Sequence, residues 1–200
     1  MKLNLKALTY RILIDPLLSG LRASVVKEIA GSPKVIDIAC GPGTMALEMA
    51  QVADHVTGID LDESLISFAQ SRTKKMGVKN VNFRVHDASH LSIYRKNEFD
   101  VAVTSMAIHQ FSEDLAVKIL TEMHRIARKV VVADYGFPVP RNISGSAAGA
   151  IERMAGGDHY INYRNYISRG GLTWFTGRVG LTVRSELIRG NGVFVMAACE

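Results

Sequence analysis

Cysteine is almost missing from this chain. Cys40 and Cys199 are the only two in 200 residues, and they show no metal-ligand spacing. A reduced, cytoplasmic setting is the expectation, with Cys40 read as a small buried residue. No apolar run reaches 18 residues, so no membrane-spanning helix is expected. The opening stretch Met1-Lys2-Leu3-Asn4-Leu5-Lys6 lacks the apolar centre of a secretory leader. Internal repeats, low-complexity tracts and dividing linkers are also missing. The expectation is one domain over residues 1–200, and that length holds a sizeable core.

The net charge of +5 is unevenly spread. Residues 1–40 carry +3, residues 41–140 carry −1, and residues 141–200 carry +3. The basic excess lies at the two ends, where it serves solubility or holds an anionic acceptor.

The chain is organised around residues 35–44, Val-Ile-Asp-Ile-Ala-Cys-Gly-Pro-Gly-Thr. Val35, Ile36 and Ile38 suit a strand buried on both faces. Gly41-Pro42-Gly43 ends it, and a helical pattern starts at Thr44-Met45-Ala46-Leu47 and runs to about residue 53. Bare glycines let a ligand approach the backbone, and the following helix offers its free N–H groups. Further strands are expected at residues 55–60, 81–87, 99–104 and 130–135, with helices at 63–76 and from Ser112 onward between them. Ser112 is read as a cap, with Arg125, Arg128 and Lys129 in the last turn. Asp62 and Ser64 are free to cap the helix after Asp60, which leaves the Asp60 carboxylate for a ligand. Gly41, Asp60, Asp87, Ser105 and Asp134 all fall at carboxyl ends of strands, where ligands bind in open α/β sheets.

The flanks differ. Residues 1–33 form a helical cap, read as two helices broken at Pro16, followed by cofactor-binding βα units over 34–135. Residues 136–180 are a helical lid, with helices at 144–154 and 158–168. Residues 181–200 form an antiparallel hairpin around Arg189-Gly190-Asn191-Gly192. The fold class is doubly wound α/β with a mostly parallel sheet.

These motifs, in this order, resemble the class I S-adenosylmethionine-dependent methyltransferases, and most closely their small-molecule, quinone-biosynthesis group. Residues 35–44 are similar to the family's first motif, residues 99–111 to its fourth, and the hairpin to the last two of seven strands. The resemblance implies that Asp37 and the backbone at Ala39, Gly41 and Gly43 hold the methionine end of S-adenosylmethionine. It places Asp60 on the ribose, Leu61 on the adenine face, and Asp87 with Ala88 on the adenine edge. Ser105 would line the transfer site. S-adenosylhomocysteine would be the product.

The acceptor is then a small molecule entering beside Ser105, with Tyr10, His159, Tyr160 and Arg164 as contacts and His109 as a general base that titrates near neutrality. No metal is expected. The Asp/Asn-Pro-Pro-Tyr-like element of amino-directed DNA methyltransferases is absent at Ser105-Met106-Ala107-Ile108, and so is a Pro-Cys pair, so nucleic acid is not the expected substrate. Two alternatives stay open. One is an NAD-dependent oxidoreductase, since Gly41 to Ala46 fits G-x-G-x-x-G/A. The other is a nucleoside-binding protein without turnover.

Overall fold

Parallel strands covered by helices on both faces bury every side chain, and the β-branched run of the first strand does so here: Val35, Ile36 and Ile38 are fully enclosed. The computed structural model describes residues 18–200. Tyr10 and the expected helix before Pro16 lie outside them.

Helix α1 (Ser19–Ile29) leads into β1 (Lys34–Ile38), α2 (Thr44–Met49), β2 (His55–Asp60), α3 (Glu63–Met76) and β3 (Val81–Val85). Next come β4 (Phe99–Ser105), a 3-10 turn at Ile108–Gln110, α4 (Glu113–Ile126) and β5 (Ala127–Tyr135). The helical insertion comprises α5 (Ile143–Ala155), α6 (Gly157–Arg169) and α7 (Leu172–Arg178), and the chain closes with β6 (Val183–Arg189) and β7 (Phe194–Cys199).

The sheet has seven strands in the order β3-β2-β1-β4-β5-β7-β6. The first five are parallel, and β7 runs antiparallel between β5 and β6. The expected doubly wound sheet with a closing hairpin is therefore what forms. Direction of winding reverses between β1 and β4, where Ile38 pairs with Ile59 on one side and Thr104 on the other. A cleft opens at such a reversal because the two crossovers leave to opposite faces.

Local chemistry sets the helix limits. The Asp62 carboxylate accepts from the Ser64 and Leu65 N–H groups at the start of α3, and Gly77 ends it with a left-handed φ of 68°. Helix α2 stops at Met49, short of the expected residue 53, where the Asn80 side chain donates to the carbonyls of Ala50 and Ala53 at 2.8 and 3.0 Å. Ser112 precedes α4 without a side-chain capping bond. Arg128 and Lys129 belong to β5 rather than the last helical turn. Lys129 reaches Glu28 at 3.0 Å and ties β5 to α1. Helix α7 is an element not expected from the sequence; it follows directly on the Gly170-Gly171 break.

Phe83 of β3 decides which glycines matter to packing. A Cβ on Gly43 would stand 2.6 Å from the Phe83 ring, and one on Gly58 would stand 2.5 Å from it. Phe83 is only 5% exposed, and its ring lies against both bare backbones and locks the turn after β1 onto β2 and β3.

Candidate active site

A cleft of about 350 Å³ occupies the reversal point, and its size is that of a small-molecule site. Its floor is the tip of β1 and the turn that follows: Asp37, Ala39, Cys40, Gly41, Pro42 and Thr44. The tips of β2 and β3 supply Asp60, Leu61, Asp62, His86, Asp87 and Ala88. On the other side stand Ser105, Met106, Ala107, Gln110 and Phe111, with Leu115 and Ile119 of α4 behind them. Leu18 and Arg22 complete the wall.

The backbone here is under tension. Ala39 and Met106, at the tips of the two strands that flank the reversal, have φ of 57° and 55°. Left-handed non-glycine residues cost of order 1–3 kcal/mol each and gather at binding sites. Gly41, at φ 54°, has nothing within 4 Å of where a Cβ would point, so its face is open to the cleft. Gly43 does not line the cleft. The missing side chain of Gly43 makes room for Phe83.

Three carboxylates face this space in different states. Asp37 is 1% exposed, and among the described residues its Oδ2 has no hydrogen-bond partner. Burial, and then the negative charge of Asp60, push its pKa up from 3.8 to about 8. Asp60 is less free than expected. Its Oδ2 accepts from the Gly41 N–H at 2.8 Å and its Oδ1 from the Asp62 N–H at 2.9 Å. It clamps the glycine turn to β2, and each oxygen keeps lone-pair capacity for a ligand hydroxyl. Asp87 accepts from the Ser89 N–H at 2.8 Å, and that bond holds its carboxyl below the usual range. Leu61, 72% exposed, presents an apolar side chain to the cleft that only a ligand would cover.

Other expected contacts fall elsewhere. His109 turns away from the cleft and is 1% exposed. Its Nδ1 lies 2.5 Å from Asp134 Oδ1, and its N–H donates to Asp134 Oδ2 at 3.2 Å. Burial would lower the pKa of this imidazole, but the Asp134 carboxylate raises it above its ordinary value. Asp134 is itself wholly buried and turned to His109, so it is no cleft acid. His159, Tyr160 and Arg164 lie on α6 outside the cleft walls. The Tyr160 ring stacks near Tyr163 and lies 5.9 Å from the Arg153 guanidinium. None of His109, His159, Tyr160 and Arg164 is among the residues that line the cleft. Alternation along the turn after β4 sends Met106, Ala107 and Gln110 inward and His109 back toward β5.

Sequence reading missed Arg22, Met106, Gln110, Phe111 and Leu115. Arg22 pairs with Glu48 of α2 at 2.9 Å, a contact that only the fold creates.

Comparison with known proteins agrees with this geometry. Residues 35–129 match a family model described as a methyltransferase domain. A demethylmenaquinone methyltransferase of Leptospira interrogans is 31% identical over 111 residues, 52% of this chain and 44% of that protein. A ubiquinone biosynthesis O-methyltransferase of Bordetella avium is 33% identical over 100 residues, 48% of this chain and 41% of its own length. The matched stretch thus spans less than half of these relatives. Among solved structures, a SAM-dependent methyltransferase from Aquifex aeolicus superposes with a TM-score of 0.69 at 18% identity, covering 99% of this chain and 98% of that one. Residues 35–129 are thus similar to a methyltransferase domain, and the seven-stranded fold as a whole is similar to that of a solved SAM-dependent methyltransferase.

Proposed function

We propose that this protein transfers a methyl group from S-adenosylmethionine to a small-molecule acceptor by in-line displacement. One observation carries the reading: Asp37, Gly41, Asp60 and Asp87, from three successive strand ends, converge on a single cleft at the sheet's reversal point. The donor set fits the cofactor piece by piece. The orphaned buried oxygen of Asp37 suits a ligand ammonium group, and the open face of Gly41 leaves room for its chain. Asp60 can accept from ribose hydroxyls, Asp87 from an exocyclic amine, and Leu61 can cover an adenine face.

S-adenosylmethionine supplies a methyl carbon already activated on a sulfonium sulfur. The protein's task is then alignment and exclusion of water, which can lower a barrier by ~7–11 kcal/mol. From Ser105 to Phe111 the lining residues are Ser105, Met106, Ala107, Gln110 and Phe111, and none is a base. These walls orient an acceptor with an apolar body, and Ser105 and Gln110 offer it hydrogen bonds. The quinone-pathway names of the relatives support an acceptor of that kind, a ring compound of modest size. Its charge follows from whether Arg22 can leave Glu48 to meet it.

Calorimetry with S-adenosylmethionine, S-adenosylhomocysteine and NAD tests the reading. Binding of the first two and not the third is expected. Binding of NAD alone would overturn it in favour of an oxidoreductase. Tight cofactor binding with no methyl transfer to a panel of phenolic and quinol acceptors would favour a binding protein.

A further inference from the structure

Three side chains from three elements meet under the helical insertion, apart from the cleft. His109 stands in the 3-10 turn after β4, Glu152 on α5 and His159 on α6. One donor atom of each lies within 4.8 Å of the other two. His109 Nε2 is 3.6 Å from Glu152 Oε1, and His159 Nε2 is 2.5 Å from Glu152 Oε2. The first two side chains are buried, and His159 is 31% exposed.

The groups behind these donors are also fixed. On the far side of the ring, the His109 Nδ1 stands against Asp134 Oδ1, which fixes the ring's orientation. The other ring nitrogen, Nε2, is thereby aimed at the Glu152 carboxylate. A buried carboxylate set between imidazole nitrogens calls for positive charge among them, which a bound metal ion or a proton supplies. A carboxylate behind an imidazole is also the arrangement that orients metal-binding histidines. The Tyr135 hydroxyl donates to Glu152 Oε1 at 2.7 Å and fixes that carboxylate in turn. Tyr135, Tyr163 and Tyr166 pack edge-on around the His109 ring and keep bulk water away.

We propose that His109, Glu152 and His159 bind a first-row divalent cation, with Zn²⁺ the best match, and that this ion clasps α5 and α6 to the turn after β4. Two imidazoles and a carboxylate form a nitrogen–oxygen set that Zn²⁺ accepts. Ligand bonds of about 2.0–2.2 Å in a tetrahedron set donor atoms about 3.4 Å apart. The His109–Glu152 separation already matches. The His159 ring has to retreat by about 1 Å, and its partly exposed position on α6 permits that. The same exposed side gives the ion its path in and a free fourth position. Residues 109, 152 and 159 form no recognisable sequence motif, because the Gly156-Gly157 break between the helices interrupts any helical spacing. This inference does not depend on the methyl-transfer reading.

The full chain, stripped with chelator and dialysed, is titrated with Zn²⁺ alone and separately with Co²⁺ alone. One equivalent should bind at micromolar affinity or tighter, with a Co²⁺ visible spectrum of low coordination number and a raised unfolding temperature. His159→Ala, at the half-exposed ligand, should fold normally and lose at least 100-fold in affinity, and Asp134→Asn should lose about 10–100-fold. Absence of stoichiometric binding, or unchanged binding in folded His159→Ala, would overturn the proposal and leave a proton as the cation of this cluster.

Discussion

Asp60 does two jobs with one carboxylate, and a substitution separates them. Its oxygens hold the Gly41 and Asp62 N–H groups in place while facing the cleft. Hydrogen bonds to a charged group are worth roughly 1.5–3 kcal/mol. Asp60→Ala is therefore expected to weaken S-adenosylmethionine by about 10- to 150-fold. Because the turn also loses its clamp, the unfolding temperature should fall as well. Titration calorimetry beside a melting curve reads both, and unchanged affinity in a folded variant would restrict Asp60 to the structural role.

Asp37 makes a pH-dependent prediction. Its folded pKa of about 8 stands above the 3.8 of an ordinary aspartate. Between those values the folded state keeps a proton that the unfolded chain releases. The contribution to stability is fully present below about pH 4 and is lost as pH rises to about 8. Asp37→Asn should flatten that part of the stability profile. If a ligand ammonium settles against Oδ2, the carboxyl ionises on binding and gives up close to one proton at pH 7. Binding enthalpies measured in buffers of different ionisation enthalpy should then diverge for the parent and coincide for Asp37→Asn. Coincidence in both would remove Asp37 from the ammonium site.

At the scale of elements, the turn after β1 depends on a side chain two strands further along the chain, Phe83 of β3. Gly43→Ala drives a methyl into the Phe83 ring and imposes a left-handed conformation that alone costs of order 1–3 kcal/mol. In a domain of this length that corresponds to a loss of roughly 2–12 °C in unfolding temperature. A differential scanning trace within 1 °C of the parent would show that the ring can move aside.

The same scale explains what the sequence made readable. Helix α3 was legible to the residue because Asp62 and Gly77 are local signals that act on their own backbone neighbours. Strands β1, β4 and β5 were legible because burial on both faces leaves a dense run of β-branched and apolar residues, and β2 because a short strand ends at Asp60. Asp60 and Asp87 were legible because each stands at or just past the carboxyl end of a strand. Three things were not. The end of α2 is set by Asn80, 30 residues on from Ala50. Gly43 makes room for Phe83, a role that exists only once β3 is in place. His109 reads as a pocket histidine until Asp134 of β5 turns it inward, and no pattern in the sequence links those two positions.

Across the whole molecule, the β6 edge of the sheet is protected by charge. Arg184 and Glu186 project from an exposed strand, and Arg184 pairs with Glu200 at 3.1 Å. A bulge between Val183 and Ser185 further spoils its register. Edges so equipped resist pairing with another chain. Replacing Arg184 and Glu186 together by valine should promote association as concentration rises, read by light scattering behind a sizing column. A variant that stays at the parent's mass over the same range would show that the bulge suffices.

The sheet reverses its winding between β1 and β4, and among the described residues only the β1–β4 ladder joins β3-β2-β1 to the other four strands. The cleft straddles that seam. Gly41, Asp60 and Asp87 belong to one half of the sheet, and Ser105 to Phe111 continue from the other. A molecule lodged there is a rivet through the seam as well as a reactant. At 100 times its dissociation constant it adds about 2.7 kcal/mol to stability by mass action. Amide exchange in β1 and β4 should slow more than in β6, so occupancy can be followed from the solvent shielding of the sheet without an acceptor in hand.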